Sequence, residues 1–130
     1  MITNRNLGDY VFHYFHDPTA LPDFLKNPDG TKKPMGEWIM TNVTDLSHFS
    51  SLIPDSSSDF NENISEWDVS NVTNMVRMFS FSDSFNQPLN WNTSKVTNMS
   101  HMFIGANSFN QPLENWNVGK VTTVSNMFYV

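Results

Sequence analysis

The chain has 130 residues, enough for one domain with a single modest core and too few for a second independent one. Seven Lys and Arg stand against thirteen Asp and Glu, giving a net charge of −6 and a pI near 4.9. That balance argues against nucleic acid or an anionic membrane as partner, because both demand clustered cations. Charged residues are 15% and aromatics 14%, a pairing that disordered chains do not show. With no cysteine, the chain lacks disulfides, thiolate metal sites and cysteine nucleophiles. No segment approaches the roughly 18 apolar residues of a membrane span, and MITNRNLGDYVFHYFHD lacks the apolar run of a secretory signal. The expected location is the cytosol, or an assembly made there such as a virion.

Residues 1–36 read as an N-terminal helical capping segment. Leu7, Tyr10, Val11, Tyr14 and Phe15 recur at helical spacing, with Asn4 or Asn6 as N-cap and Asp17-Pro18 ending the run. A second short helix is predicted over Pro22–Lys26, before a turn at Asn27-Pro28-Asp29-Gly30. His13 and His16 are spaced to share a metal on one helix face, but no further ligand clusters with them, and no metal or other cofactor is expected.

Residues 37–130 are repetitive. Blocks begin at Phe60, Phe85 and Phe109, and a degenerate copy starts at Glu37. Trp38, Trp67, Trp91 and Trp116 each precede a valine by five residues, so all four tryptophans share one slot. Ile64-x-x-Trp67-x-Val69 has the look of a short strand, and Val72-x-x-Met75-x-x-Met78-Phe79 steps by threes and fours like one face of a short helix. The predicted fold class is therefore an α/β repeat: a leucine-rich-repeat-like solenoid of about four 24–25-residue strand-turn-helix coils behind a helical cap. The expected repeat core is Trp38, Trp67, Trp91, Trp116, Met75, Met78, Met99, Met102 and Met127. The third coil lacks one residue, since Leu89 lies two rather than three positions before Trp91, and a local adjustment is expected there.

The run WDVSNVTNM from Trp67 to Met75, with Met78-Phe79 and FNQPL at Phe85 and Phe109, resembles the BspA-type leucine-rich-repeat region. That family was long catalogued as a domain of unknown function rich in mycoplasma surface proteins, and it also occurs in protists, algae and large DNA viruses. The resemblance covers roughly Glu37 to Val130. The opening NLGDYVFHYFHDP is similar to that of repeat proteins from the protist and large-virus group. There the first coil typically carries WDTSNVTDM where this chain has Trp38 to Leu46, so the first copy reads as a capping coil. The resemblance implies a fold and a mode of use rather than an activity.

No Ser-His-Asp order, phosphate-binding glycine loop or HExxH helix is present, and Glu66 and Asp68 are replaced by Asn115 and Asn117 two coils later, so no catalytic residue is assigned. Five N-x-S/T sequons, at Asn42, Asn63, Asn71, Asn92 and Asn98, follow from a repeat built of Asn, Ser and Thr. The expected function is a non-enzymatic protein–protein interaction or structural repeat module, for instance a component of a virus particle. Its expected contact surface is an outward strip of Glu66, Asp68, Asn90, Asn92, Asn115 and Asn117, or the C-terminal end, where Trp116, Val121 and Met127 are expected partly open. Self-association through that end, as a two-fold dimer, and docking to a host assembly are both expected modes. Sealing of the end by Tyr129 and continuation of the array are the alternatives. A second function class is a carbohydrate-binding or adhesive surface protein, in which the tryptophans form an exposed stacking ladder. Their burial or exposure discriminates between the classes.

Overall fold

The N-terminal segment forms one true helix, α1, from Leu7 to His16, in a computed structural model that describes residues 1–54 and 57–129. Leu7, Val11 and Tyr14 are the buried stripe of α1, and Asp17-Pro18 ends it as the fixed proline geometry requires. Asn6 sits at the N-cap but turns its amide backward, accepting from the Thr3 N–H and donating to the Met1 carbonyl. The second predicted helix is one 3₁₀ turn, Asp23–Leu25, and Gly30 takes the positive φ of the following turn.

This segment lies against the first coil. Tyr14 meets Trp38 edge-on at 5.6 Å. Asn4 is bonded to residues forty positions away: its Oδ1 accepts the Thr44 N–H at 3.0 Å and its Nδ2 donates to the Thr44 hydroxyl at 2.8 Å. Burial pushes the Tyr14 phenol above its ordinary pKa, and the nearby Glu62 carboxylate adds to the shift.

The predicted α/β strand-turn-helix architecture is not what forms, and the leucine-rich-repeat solenoid reading falls with it. Among the described residues there is no strand beyond isolated bridges, and the repeat region contains one α-helix, of four residues, α2, Phe49–Leu52, and one 3₁₀ turn, Ser57–Asp59. Parallel pairing is reduced to isolated bridges, Asp45 to Asn74, Asn74 to Asn98 and Asn98 to Thr123. These bridges fall where the spacing predicted the start of a helix.

The physical reason lies in the side chains at the bridge. Asp45, Asn74 and Asn98 each turn a side-chain oxygen onto the backbone N–H two residues ahead, at 2.8, 3.1 and 3.0 Å, and this local bond competes with helix formation. A chain of overlapping turns follows: Met78 donates to Met75, Ser80 to Arg77 and Ser82 to Phe79. His48, Arg77, His101 and Asn126, one per coil, take left-handed backbone with φ between 52° and 59°. In a helix every amide would bond within its own segment. Here alternate amides are turned outward and bond to the next coil instead: Met75 to Asn98, Arg77 to Ser100, Phe79 to Met102, and one coil later Met99 to Thr123, His101 to Ser125, Phe103 to Met127. The predicted strand around Ile64–Val69 is likewise bent by turns closing Ile64 to Trp67 and Val69 to Val72.

The coils are therefore stacked, but by turns and ladders rather than by a sheet. Phe79, Phe103 and Phe128 form one column at 5.5 and 5.3 Å, and Phe60, Phe85 and Phe109 a second at 5.6 and 6.0 Å. All four tryptophans are buried, at 2 to 9% exposure. Each of the last three donates its indole N–H to a carbonyl of the segment before it, Trp67 to Met35, Trp91 to Ile64 and Trp116 to Leu89, at 2.8 to 3.1 Å. Trp91 and Trp116 stack at 6.3 Å, whereas Trp67 meets Phe49 edge-on at 5.4 Å. Met75, Met78, Met99 and Met102 are fully buried and Met127 is half-buried. The one-residue deletion before Trp91 has the expected local effect: the turns closing Ile64 to Trp67 and Leu113 to Trp116 have no counterpart between Leu89 and Trp91.

Candidate functional site

Two surface features follow from this stacking: a polar strip along one side of the coils and an apolar face below the last one. On the strip, Glu66, Asn90 and Asn115 occupy the slot before the tryptophan, and Asp68, Asn92 and Asn117 the slot after it. All six are exposed, because the indole between them points inward. The structure thus brings them together as two short rows, one per slot.

The two slots differ in their hydrogen bonding. Asp68 accepts the Ser70 N–H at 3.0 Å, Asn92 the Ser94 N–H at 3.1 Å and Asn117 the Gly119 N–H at 2.9 Å, so the second row also pins the turn behind it. Hydrogen bonds from the Ser70 hydroxyl and N–H hold the Asp68 carboxyl below the usual carboxylate range. The sign follows directly. A depressed folded pKa adds stability that is complete above the unfolded value of 3.8 and is lost as pH falls through the folded value. Asp68→Asn retains the turn, as at Asn92 and Asn117, so the expected change at neutral pH is within about 0.5 kcal/mol. Its acid unfolding midpoint should move down relative to the parent, measured by circular dichroism between pH 2 and 5, about the span of carboxylate titration.

At the first coil the strip opens into a groove of about 640 Å3 bounded by Pro34, Glu37, Ile39, Asn63, Glu66 and Asp68. Ile39 holds the slot of Asp68, Asn92 and Asn117, yet it is 73% exposed and apolar. Sequence reasoning missed it, although alignment on Trp38 places it there. The groove floor depends on Gly36, where a Cβ would lie 2.3 Å from the Asn63 carbonyl oxygen. Gly36→Ala should therefore cost about 1–3 kcal/mol by forcing the two backbones apart, read as a shift of the urea midpoint.

The end face is lined by Leu113, Trp116, Val118, Val121, Val124, Met127 and Phe128, around a shallow cavity of about 320 Å3. Trp116 is 9% exposed, and Val121 and Met127 are half-buried. Val130, part of the predicted C-terminal motif, lies outside the described residues.

Neither feature gathers groups for chemistry. His13 and His16 lie on α1 beside Phe12, whose ring is 5.6 and 4.6 Å from theirs. Among the described residues no three His, Asp or Glu side chains lie together as a metal set. No helix among them is long and apolar enough to cross a membrane.

The fold and these surfaces define a repeat protein whose coils stack through turn amides, aromatic columns and indole hydrogen bonds. The chain belongs to the family described as Mycoplasma protein of unknown function, DUF285, whose model matches residues 19–130. Nothing among curated proteins or solved structures matches it significantly.

Proposed function

We propose that the chain is a non-enzymatic protein–protein interaction or structural repeat module, serving as one component of a larger assembly. The observation that carries the reading is the exposed polar strip, whose six side chains recur at coil spacing on a stacked, hydrogen-bonded frame. Its acidic end, Glu37, Glu66 and Asp68 around the exposed Ile39, suits a protein partner that brings Lys or Arg around an apolar side chain. The apolar end face at Val118 and Phe128 is a second contact surface in this reading. The finer likeness of Trp67–Met75, Met78-Phe79 and the two FNQPL runs to BspA-type repeats supports a binding use. Placement in the cytosol or within a virus particle is part of the same proposal. The net charge of −6 disfavours nucleic acid and anionic membrane as partners. The carbohydrate alternative needed an exposed tryptophan ladder, and the burial of all four indoles removes its support.

The test is capture from the native source with the full chain and with a Glu66→Gln, Asp68→Asn double variant. A strip-bound partner should be lost with the variant. Its association rate with the parent should fall about tenfold from low to high salt, as for steered encounters. A partner that is captured equally by both proteins, with a rate indifferent to ionic strength, removes the strip from the interaction.

A further inference from the structure

We propose that the N-terminal segment and the first coil together form a peptide-binding cleft, which takes an extended segment of a partner protein carrying a large apolar side chain closely followed by Lys or Arg. The proposal rests on the interaction reading and names the partner's chemistry at the acidic end of the strip.

A second cavity, of about 400 Å3, lies between the N-terminal segment and the first coil, bounded by Ile2, Phe24, Leu25, Lys33, Ile39 and Asn42. That volume falls within the range of ligand-holding clefts, about 300–1000 Å3. Its walls are fixed in advance: Ile2 and Leu25 are buried, the Phe24 ring meets Tyr10 edge-on at 5.8 Å, and the Lys33 Nζ donates to the Phe24 carbonyl at 3.1 Å. Glu37 and Ile39 bound both this cavity and the groove beside Glu66 and Asp68, so the two meet across these side chains.

Ile39 stands on this divide at a cost to the fold. In the other coils its slot holds Asp68, Asn92 or Asn117, and each accepts the N–H two residues ahead. Isoleucine has no acceptor, so the Thr41 N–H goes without that bond, while the side chain stands in solvent. An apolar residue that gives up a turn bond to be exposed between two cavities breaks the local rule of the repeat, as residues of contact sites do.

The charges decide what fits. Asp68 is partly offset by Lys95, whose Nζ is bonded to Asn71 at 2.7 Å, whereas Glu37 and Glu66 have no ion pair among the described residues. A cation of the partner is therefore favoured on the groove side of Ile39, and a carbonyl oxygen beside Lys33 on the cavity side. The exposed Asn42 amide, also without a partner among the described residues, can both donate to and accept from a peptide backbone. Bridged coils lie about 4.8 Å apart and an extended chain advances about 6.6 Å over two residues, so an apolar side chain in the cavity and a cation over Glu66 belong to positions about two apart. A compact small molecule would fill one cavity and leave Ile39 uncovered.

The test pans a random linear heptapeptide phage library against the full chain, with the Ile39→Asn protein for counter-selection. Asparagine already serves this slot at Asn92 and Asn117, so the variant regains the turn bond and should melt no lower than the parent. Selected peptides are expected to carry Leu, Ile, Met or Phe with Lys or Arg about two positions away, and to bind Ile39→Asn about tenfold or more weakly. Amide shifts on adding the best of them as a synthetic peptide should map to Ile39, Asn42 and Glu66. A library that yields no peptide preferring the parent over Ile39→Asn overturns the proposal, as does a preference that lacks the apolar–basic pair. So does a dimer in sedimentation that Ile39→Asn dissolves, which gives the cleft to a second copy. A native partner lost with the Glu66→Gln, Asp68→Asn variant but held by Ile39→Asn upholds the interaction reading and overturns this cleft alone.

Discussion

Trp91→Ala is expected to lower unfolding stability by about 3–5 kcal/mol, measured as the shift of a urea or thermal transition. Trp91 is 4% exposed, stacks on Trp116 at 6.3 Å and touches Phe79 at 6.1 Å. Truncation would open a cavity between two coils and also remove the indole hydrogen bond to the Ile64 carbonyl, which keeps only the Trp67 N–H as its partner. Trp91→Phe should recover part of the packing but not the hydrogen bond, so it should fall between parent and alanine variant. A Trp91→Ala protein that melts within a degree or two of the parent would contradict the inward placement of the whole tryptophan slot.

Phe103→Ala is expected to cost a similar amount, about 3–5 kcal/mol, for a different reason. Its ring lies where the two phenylalanine columns meet: 4.2 Å from Phe109, 5.5 Å from Phe79, 5.3 Å from Phe128 and 6.4 Å from Trp116. Removing it interrupts the vertical column and the lateral contact together. In a double-mutant cycle with Phe79→Ala the two costs should therefore fail to add, with a coupling of at least about 0.5 kcal/mol, as touching residues show. Strict additivity would mean that the rings share a core without sharing contacts.

The candidate strip was readable because it needs only the repeat register. Once the four tryptophans are aligned, the residues on either side of an inward indole must face out, and Glu66, Asp68, Asn90, Asn92, Asn115 and Asn117 do. Ile39 was readable by the same alignment and was overlooked because its coil is degenerate. The groove beside it was not readable, for it depends on the approach of Gly36 to the Asn63 carbonyl across 27 positions of chain. The end face was legible as apolar from Val121 and Met127.

By itself the sequence determined α1, the repeat period, the inward tryptophan and methionine slots, and the local irregularity before Trp91. Each of these follows from spacing within one coil or from identity of slots between coils. Only the tertiary structure decided what the backbone does between those slots. The steps of three and four from Val72 to Phe79 fit a helix face, and they equally fit a succession of turns that buries the same side chains. The choice between them is made by bonds across 23 or 24 residues. A helix would consume the amides of Met75, Arg77 and Phe79 internally, whereas the stack requires them for the coil below, and Asn74 with Arg77 in the left-handed region turns them that way.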